Sequence, residues 1–349
     1  MIRPNRLLDS RLANPACERL ELVNLRLLDG SDAEGVTMRQ TMSLIGAPSS
    51  AGAYAPGQER APGALREAGL VSRLRAAGLN IEDHGDVPGF RWRPDREQPL
   101  AQNLAAVVAT ANAVAQRVAG VLASGQIAFV LGGDCTVGLG TVAGALAAGG
   151  EQVGLLYFDM HADLNTPRSV PDGALDWMGV AHLLGETDTE PSLASFGPRA
   201  PLLAPAQLVV YAFRPDQSTP YERAAIARHN LDVVELDEVA AAPGPSARRA
   251  VERLLTRCDR LLVHFDVDVI DFTEAPLSEN TGRNIGLTLN QAFEALTVFA
   301  ASDRFAALTL TELNPDHGEP DNATLSRLVE RLVESLAAAD TARLESGSL

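Results

Sequence analysis

Lysine is missing from this 349-residue sequence; all 29 basic residues are arginine. That absence excludes a Schiff-base lysine, a Walker-type phosphate loop and a lysine general base. Cysteine is scarce as well. Cys17, Cys135 and Cys258 are too few and too scattered for a disulfide framework or an all-cysteine zinc site, and this usage fits a reducing cytoplasm. Positive charge is outnumbered by 45 acidic residues, for a formal net charge of −16. Such a surface repels phosphate backbones on average, which argues against a nucleic-acid partner. No uninterrupted apolar run of about 18 residues occurs, so no membrane span is expected. Glu21, Asn24 and Arg26 break up the best candidate for a signal-peptide core, residues 20–28. A soluble cytoplasmic protein is the expectation from these absences.

What remains has the balance of an ordinary globular chain, 46% hydrophobic and 21% charged. Residues 1–40 carry no periodic pattern and read as an N-terminal extension, either a floppy arm or a misassigned start. From there to about residue 345 the pattern suits a single domain of alternating βα units on a mostly parallel sheet. "SLIGAP", "QIAFVLGGD", "VGLLYFDMHAD", "LVVYAFRPD", "RLLVHFDVDVID" and "FAALTLTELNP" are apolar strands running into polar or acidic ends. "PGALREAGLVSRLRAAG" predicts one helix from Pro62 to Gly78, residues 103–123 a long one, and Leu325, Leu328, Val329, Leu332, Val333 and Leu336 the stripe of a last one. Residues 186–206 and 272–285 read as loops.

In an open parallel sheet, ligands sit outside the carboxyl ends of the strands. Here those ends carry acid. Asp159, His161 and Asp163 alternate in "FDMHADLN", so in an extended chain all three project to one side. "HFDVDVID" places Asp266 and Asp268 at the same two-residue spacing. Four carboxylates and an imidazole on neighbouring strand ends repel one another unless cations neutralise them, and two divalent ions would do so.

With these motifs in view the sequence resembles the ureohydrolases, the family of arginase and agmatinase. The similarity runs from about residue 43 to 340, through "IGAPSSAGAYAPGQERAPGALREAG", "GGD", "DMHADLNTP", "FDVDVID" and "TELNP". The resemblance implies a three-layer α/β/α fold, two divalent metal ions with manganese foremost, and hydrolysis of a small guanidino substrate to urea and an amine. It also implies a homo-oligomer, trimer or hexamer. Carried over by position, Asp159 and Asp266 would bridge the metals, His161 and Asp268 would bind one, and Asp163 the other, with a catalytic part as well. Oxygen-rich sites suit manganese-like ions, and a metal pair can make a nucleophile from water near neutral pH. Glu312 matches the residue that pairs with the guanidinium, for which a carboxylate's two parallel acceptors are suited. Asp271 matches a family acid whose role is structural or functional.

Four departures bear on metal and substrate. Cys135 stands where the family has a metal-binding histidine after "GGD". A thiolate there can ligate and would favour zinc- or iron-like ions; alternatively that metal is weak or absent, or Cys135 is a buried, inert thiol. His264 stands where small residues are usual, and strand parity turns it toward the side of Asp266 and Asp268. It either supplies the imidazole lost at Cys135 or is a packed strand histidine. An ungapped count from Asp163, past Asn165, puts Val170 and Asp172 where arginases have hydroxyl residues for an amino-acid carboxylate. Asp176 falls where the family has a histidine that shuttles protons or contacts substrate. Both acids suit a cationic tail better than a carboxylate. Asn165, Asp172 and Glu312 are therefore candidate substrate contacts, and Asp163, Asp176 and Glu312 candidate catalytic groups. Arg214 and Asp216 are candidates for a structural and a substrate-facing role, His182 reads as a core or surface histidine, and His84, His229 and His317 as surface or loop residues. The function so implied is hydrolysis of an agmatine-like guanidino compound in preference to L-arginine. The rival readings are a single-metal amide or formimino hydrolase on the same fold, and a catalytically dead relative.

Overall fold

The computed structural model describes residues 39–150 and 152–346. The expected N-terminal extension lies almost wholly outside the described residues, as does Cys17. The apolar runs form strands β1 (Met42–Gly46), β3 (Ile127–Leu131), β4 (Val153–Phe158), β5 (Leu208–Phe213), β7 (Arg260–Asp266) and β8 (Phe305–Thr311), joined by β2 (Ile81–Asp86) and β6 (Asp232–Glu235). Among the described residues these eight strands pair only in parallel, in the order β2-β1-β3-β8-β7-β4-β5-β6. The two edge strands have no sequence signature because an edge need not be apolar: five of the six residues of β2 are exposed.

Side chains alternate between the sheet's faces, and each face builds its own core. Ile127, Phe129, Leu131, Leu156, Phe158, Val263 and Phe265 pack under helices Ala61–Glu67, Leu70–Ala76, Pro243–Leu255, Leu289–Ala300 and Ala323–Ser346. Ala128, Val130, Leu155, Tyr157 and Leu262 pack under helices Leu104–Ala123 and Val137–Ala147. Continuous apolar strands are what a sheet covered on both faces requires, and the three α/β/α layers follow.

Two expectations change. The single helix predicted over Pro62–Gly78 is two, because Gly69 sits in the left-handed region at φ 83° and turns the chain between them. Helix Leu104–Ala123 is long and apolar enough by mean hydropathy to cross a membrane, which a search for unbroken apolar runs overlooks. In the fold its Val107, Ala111, Val114 and Val118 are buried in the second core.

Candidate metal centre and its cleft

The four central strands β3, β8, β7 and β4 end side by side, and their tips carry the chemistry. After β3 the chain crosses under the loop following β1 so closely that a Cβ on Gly133 would lie 1.7 Å from the Ser49 carbonyl oxygen. Only glycine passes there. Beyond it, Asp134 accepts from the Gly52 and Thr136 amides at 3.0 Å each, which locks the turn and delivers Cys135 to the strand tips.

The chain leaves β4 at Phe158, so Asp159, His161 and Asp163 do not alternate along extended backbone as the spacing suggested. A tight turn brings them together instead: Asp159 Oδ1 accepts the His161 amide at 2.6 Å, and Asp163 takes φ 47°. His161 Nδ1 then reaches Asp268 Oδ2 at 3.0 Å and Asp159 Oδ1 at 3.3 Å. Asp163 accepts from the Tyr157 hydroxyl. At the end of β7, Asp266 caps a short 3-10 turn over Val267–Val269 by accepting the Asp268 amide at 2.7 Å. Glu312, just past β8, also has left-handed backbone at φ 61°. Its Oε1 accepts from the Cys135 amide at 2.8 Å and its Oε2 from Gln58 Nε2 at 3.1 Å. Left-handed backbone at two non-glycine acids of one site is strain that the surrounding fold must hold in place.

Among the described residues, three groups of side chains have ligand atoms close enough together to hold an ion: Asp159–His161–Asp268, Cys135–Asp159–His264 and Cys135–Asp266–Glu312. Asp163 belongs to none of them and stands on Tyr157. The donor set fits divalent metal on its own terms, since Asp159 Oδ2 and Asp268 Oδ1 are buried with no hydrogen-bond partner. Burial, followed by the neighbouring charges, pushes the carboxyls of Asp159, Asp163, Asp266 and Glu312 above the usual range. Burial works against a charged His161, yet Asp268 and Asp159 outweigh it and raise its pKa well above the ordinary value. A site that holds this much unpaired acid is built for cations.

The centre lies at the bottom of a cleft of about 670 Å³. Besides the groups above, Asn165, Asp172, Asp176, Trp177, Glu222, Tyr54 and Glu279 line it. Among the described residues eight carboxylates face it, His161 is its one imidazole, and no arginine lines it. Asp176 is buried, and burial with the charge of Glu312 raises its carboxyl well above the usual range. Asp172 stands at the exposed rim. Asn165 Oδ1 is held by Thr219 Oγ1 at 2.8 Å and Ser169 Oγ at 3.1 Å.

Several candidates fall elsewhere. Asp216 is not a lining residue; it is exposed and forms a two-point ion pair with Arg214 at 2.9 and 2.7 Å. Asp271 turns away to accept from Thr273, Ile285 and Gly286, pinning the loop that precedes helix Leu289–Ala300. His182 is a core residue, and His229, at the end of a helix, pairs with Glu186. Tyr54, Gln58, Trp177, Glu222 and Glu279 were missed, and only Glu222 carried a signal: the Thr219…Glu222 spacing of a capping box, which the structure forms.

A parallel α/β sheet whose central strand tips gather acids, an imidazole and a thiol around ion-sized gaps defines a class of metal-binding α/β enzymes. A model of the arginase family matches residues 40–338, and the chain belongs to that family. The arginase of Bacillus subtilis is 29% identical over 301 residues, covering 85% of this chain and 98% of that one. The arginase of Brevibacillus brevis is 30% identical, with 80% and 92% covered. A solved structure of the Bacillus subtilis enzyme superposes with a TM-score of 0.75 at 28% identity, over 85% of this chain and 98% of the other.

Proposed function

We propose that the chain is a metal-dependent amidinohydrolase acting on a guanidino compound with a cationic tail, agmatine-like rather than L-arginine. One observation carries the substrate reading: among the described residues eight carboxylates and no arginine line the cleft, so there an α-carboxylate finds no cationic partner and an amine finds several. The resemblance to arginases supports the chemistry; the lining argues for a different tail.

Asp159, His161 and Asp268 would hold one ion, and Asp163, Asp266 and Cys135 complete the set for a second. A divalent pair, with manganese where the donors are oxygen and the Cys135 position altered by its sulfur, would supply Lewis acidity and lower the pKa of water. Glu312 orients the guanidinium. Each of its oxygens already accepts one protein hydrogen bond, which fixes the carboxylate plane and leaves a lone pair apiece for the substrate's N–H fork. Water oxygen adds to the guanidino carbon, the bond from that carbon to the alkyl nitrogen breaks, and the nitrogen leaves as an amine. Asp176, whose carboxyl is raised by burial and by the charge of Glu312, would give the departing amine its proton. Asn165 and Asp172 border the path of the tail. The active form is read as a homo-oligomer in the cytoplasm.

The test is urea release from agmatine, guanidinobutyrate, arginine and free guanidine after manganese loading, with metal counted per chain. Agmatine turnover well above arginine, abolished in Glu312→Gln, is the expected result. Preferential hydrolysis of arginine sinks the substrate reading, and absence of urea from every compound sinks the amidinohydrolase reading.

A further inference from the structure

The two departures from the family's ligand pattern, Cys135 and His264, come from segments 129 residues apart and meet in the fold. Cys135 Sγ lies 3.3 Å from His264 Nε2 and 3.0 Å from Asp266 Oδ2. The carboxylate of Asp159 completes a group whose donor atoms all fall within 4.8 Å of one another. All three residues are buried, and Asp159 Oδ2 has no partner. The seat of the imidazole is constructed around it. Tyr157 stacks flat on its face, Thr311 Oγ1 sits 3.1 Å from Nε2, and Gly138 leaves room at Nδ1, where a Cβ would come within 2.6 Å. Holding a strand histidine against a thiol by a ring stack and a hydrogen bond, with space kept by a glycine, is the preorganisation a ligand pair needs.

We propose that Cys135 and His264 act together as a sulfur–nitrogen donor pair for one metal position, which makes the centre chemically asymmetric. Asp159–His161–Asp268 offers a hard position for a manganese-like ion; Cys135–His264–Asp159 offers a borderline position for zinc or cobalt(II). The inference rests on the metal-dependent reading above and specifies which ions that centre takes. Ligand bonds of about 2.3 Å to sulfur and about 2.0 Å to nitrogen put tetrahedral S and N donors roughly 3.5 Å apart. The observed separation of 3.3 Å needs little adjustment. Asp159 belongs to both groups, so one carboxylate spans the two positions. On binding, the Cys135 thiol releases to solvent the proton it now donates to Asp266, and the metal replaces that proton.

The experiment loads the metal-stripped full chain with cobalt(II), counts bound metal, and records the near-ultraviolet sulfur-to-cobalt charge-transfer band. The band is expected in the wild type and absent in Cys135→Ser. Removing a residue that merely supports a ligand costs about 10–100-fold in metal affinity, so Cys135→Ser and His264→Gln should each weaken one of two cobalt positions by more than about tenfold. Cys135→His should restore manganese at that position, raising manganese from one to two per chain. Because the variants sit in a packed core, zinc-edge X-ray absorption on the wild type gives a second readout, with a sulfur scatterer at about 2.3 Å expected. Two metals per chain with neither a charge-transfer band nor a sulfur scatterer overturns the donor pair and leaves the binuclear reading standing. Failure to bind any divalent metal overturns both.

Discussion

The imidazole of His264 lies flat on the phenol of Tyr157, ring centroids 4.3 Å apart and planes 9° from parallel. Parallel pairing of β4 and β7 sets the two residues in register, and the phenol's hydroxyl donates to Asp163. One side chain therefore braces a strand histidine with its face and a turn carboxylate with its edge. Tyr157→Phe keeps the stack and removes the donor. A buried carboxylate that loses a hydrogen bond costs about 1–3 kcal/mol, so the urea midpoint should fall while the fold is retained. An unchanged midpoint means that Asp163 does not depend on Tyr157.

His182 makes stability depend on pH. It is fully buried, with Nδ1 2.7 Å from the Met178 carbonyl and Nε2 accepting the Glu190 amide at 3.1 Å, an arrangement that needs the neutral ring. Burial lowers its pKa from 6.5 to about 4. Between those values the unfolded chain binds a proton that the folded chain refuses, so this group's contribution to stability falls as pH drops through the window. The loss approaches roughly 3 kcal/mol at its lower end. Unfolding free energies at pH 7 and pH 5 should differ more in the wild type than in His182→Gln; equal differences would refute the assignment.

Gly133 tests the turn that delivers Cys135. With the Ser49 carbonyl oxygen 1.7 Å from the position of an added Cβ, Gly133→Ala must displace backbone. A cost of about 3 kcal/mol or more is expected by analogy with overpacked cores. Gly63, within helix Ala61–Glu67, has nothing within 4 Å of that position. Gly63→Ala should stabilise by up to about 1 kcal/mol. Thermal denaturation of both variants decides; similar melting temperatures count against the close approach.

Glu279 tests the tail. Its carboxylate is held by Asn314 Nδ2 at 2.5 Å and by the Tyr54 hydroxyl at 3.3 Å, and it faces the cleft. If it meets the amine of the substrate, Glu279→Gln should raise KM for agmatine by about 5–30-fold, the equivalent of one charged contact of about 1–2 kcal/mol, with kcat within about twofold. Arginine kinetics should move far less. A fall in kcat for both substrates alike would place Glu279 at the reacting end instead.

Much of the fold was legible because a sheet covered on both faces needs apolar strands, and apolar runs ending in acid are hard to mistake. The edge strands β2 and β6 escaped because solvent meets them. The acids Asp159, Asp266 and Asp268 announced themselves by spacing, and Cys135 and His264 by the resemblance to the ureohydrolases. Tyr54, Gln58 and Glu279 lie in loops with no periodicity, and Asp216 looked like a site residue until its side chain was found on Arg214.

From residue types and spacing came the α/β class, the acidic strand tips and the excess of acid over base; the resemblance to the ureohydrolases added the positions where this chain leaves that pattern. The tertiary structure decided which of those groups touch. Strand order places β8 between β3 and β7, so Cys135, His264 and Glu312 become neighbours although long stretches of chain separate them. Contact across a parallel sheet depends on how crossover connections order the strands, and that ordering is a property of the packed layers as a whole.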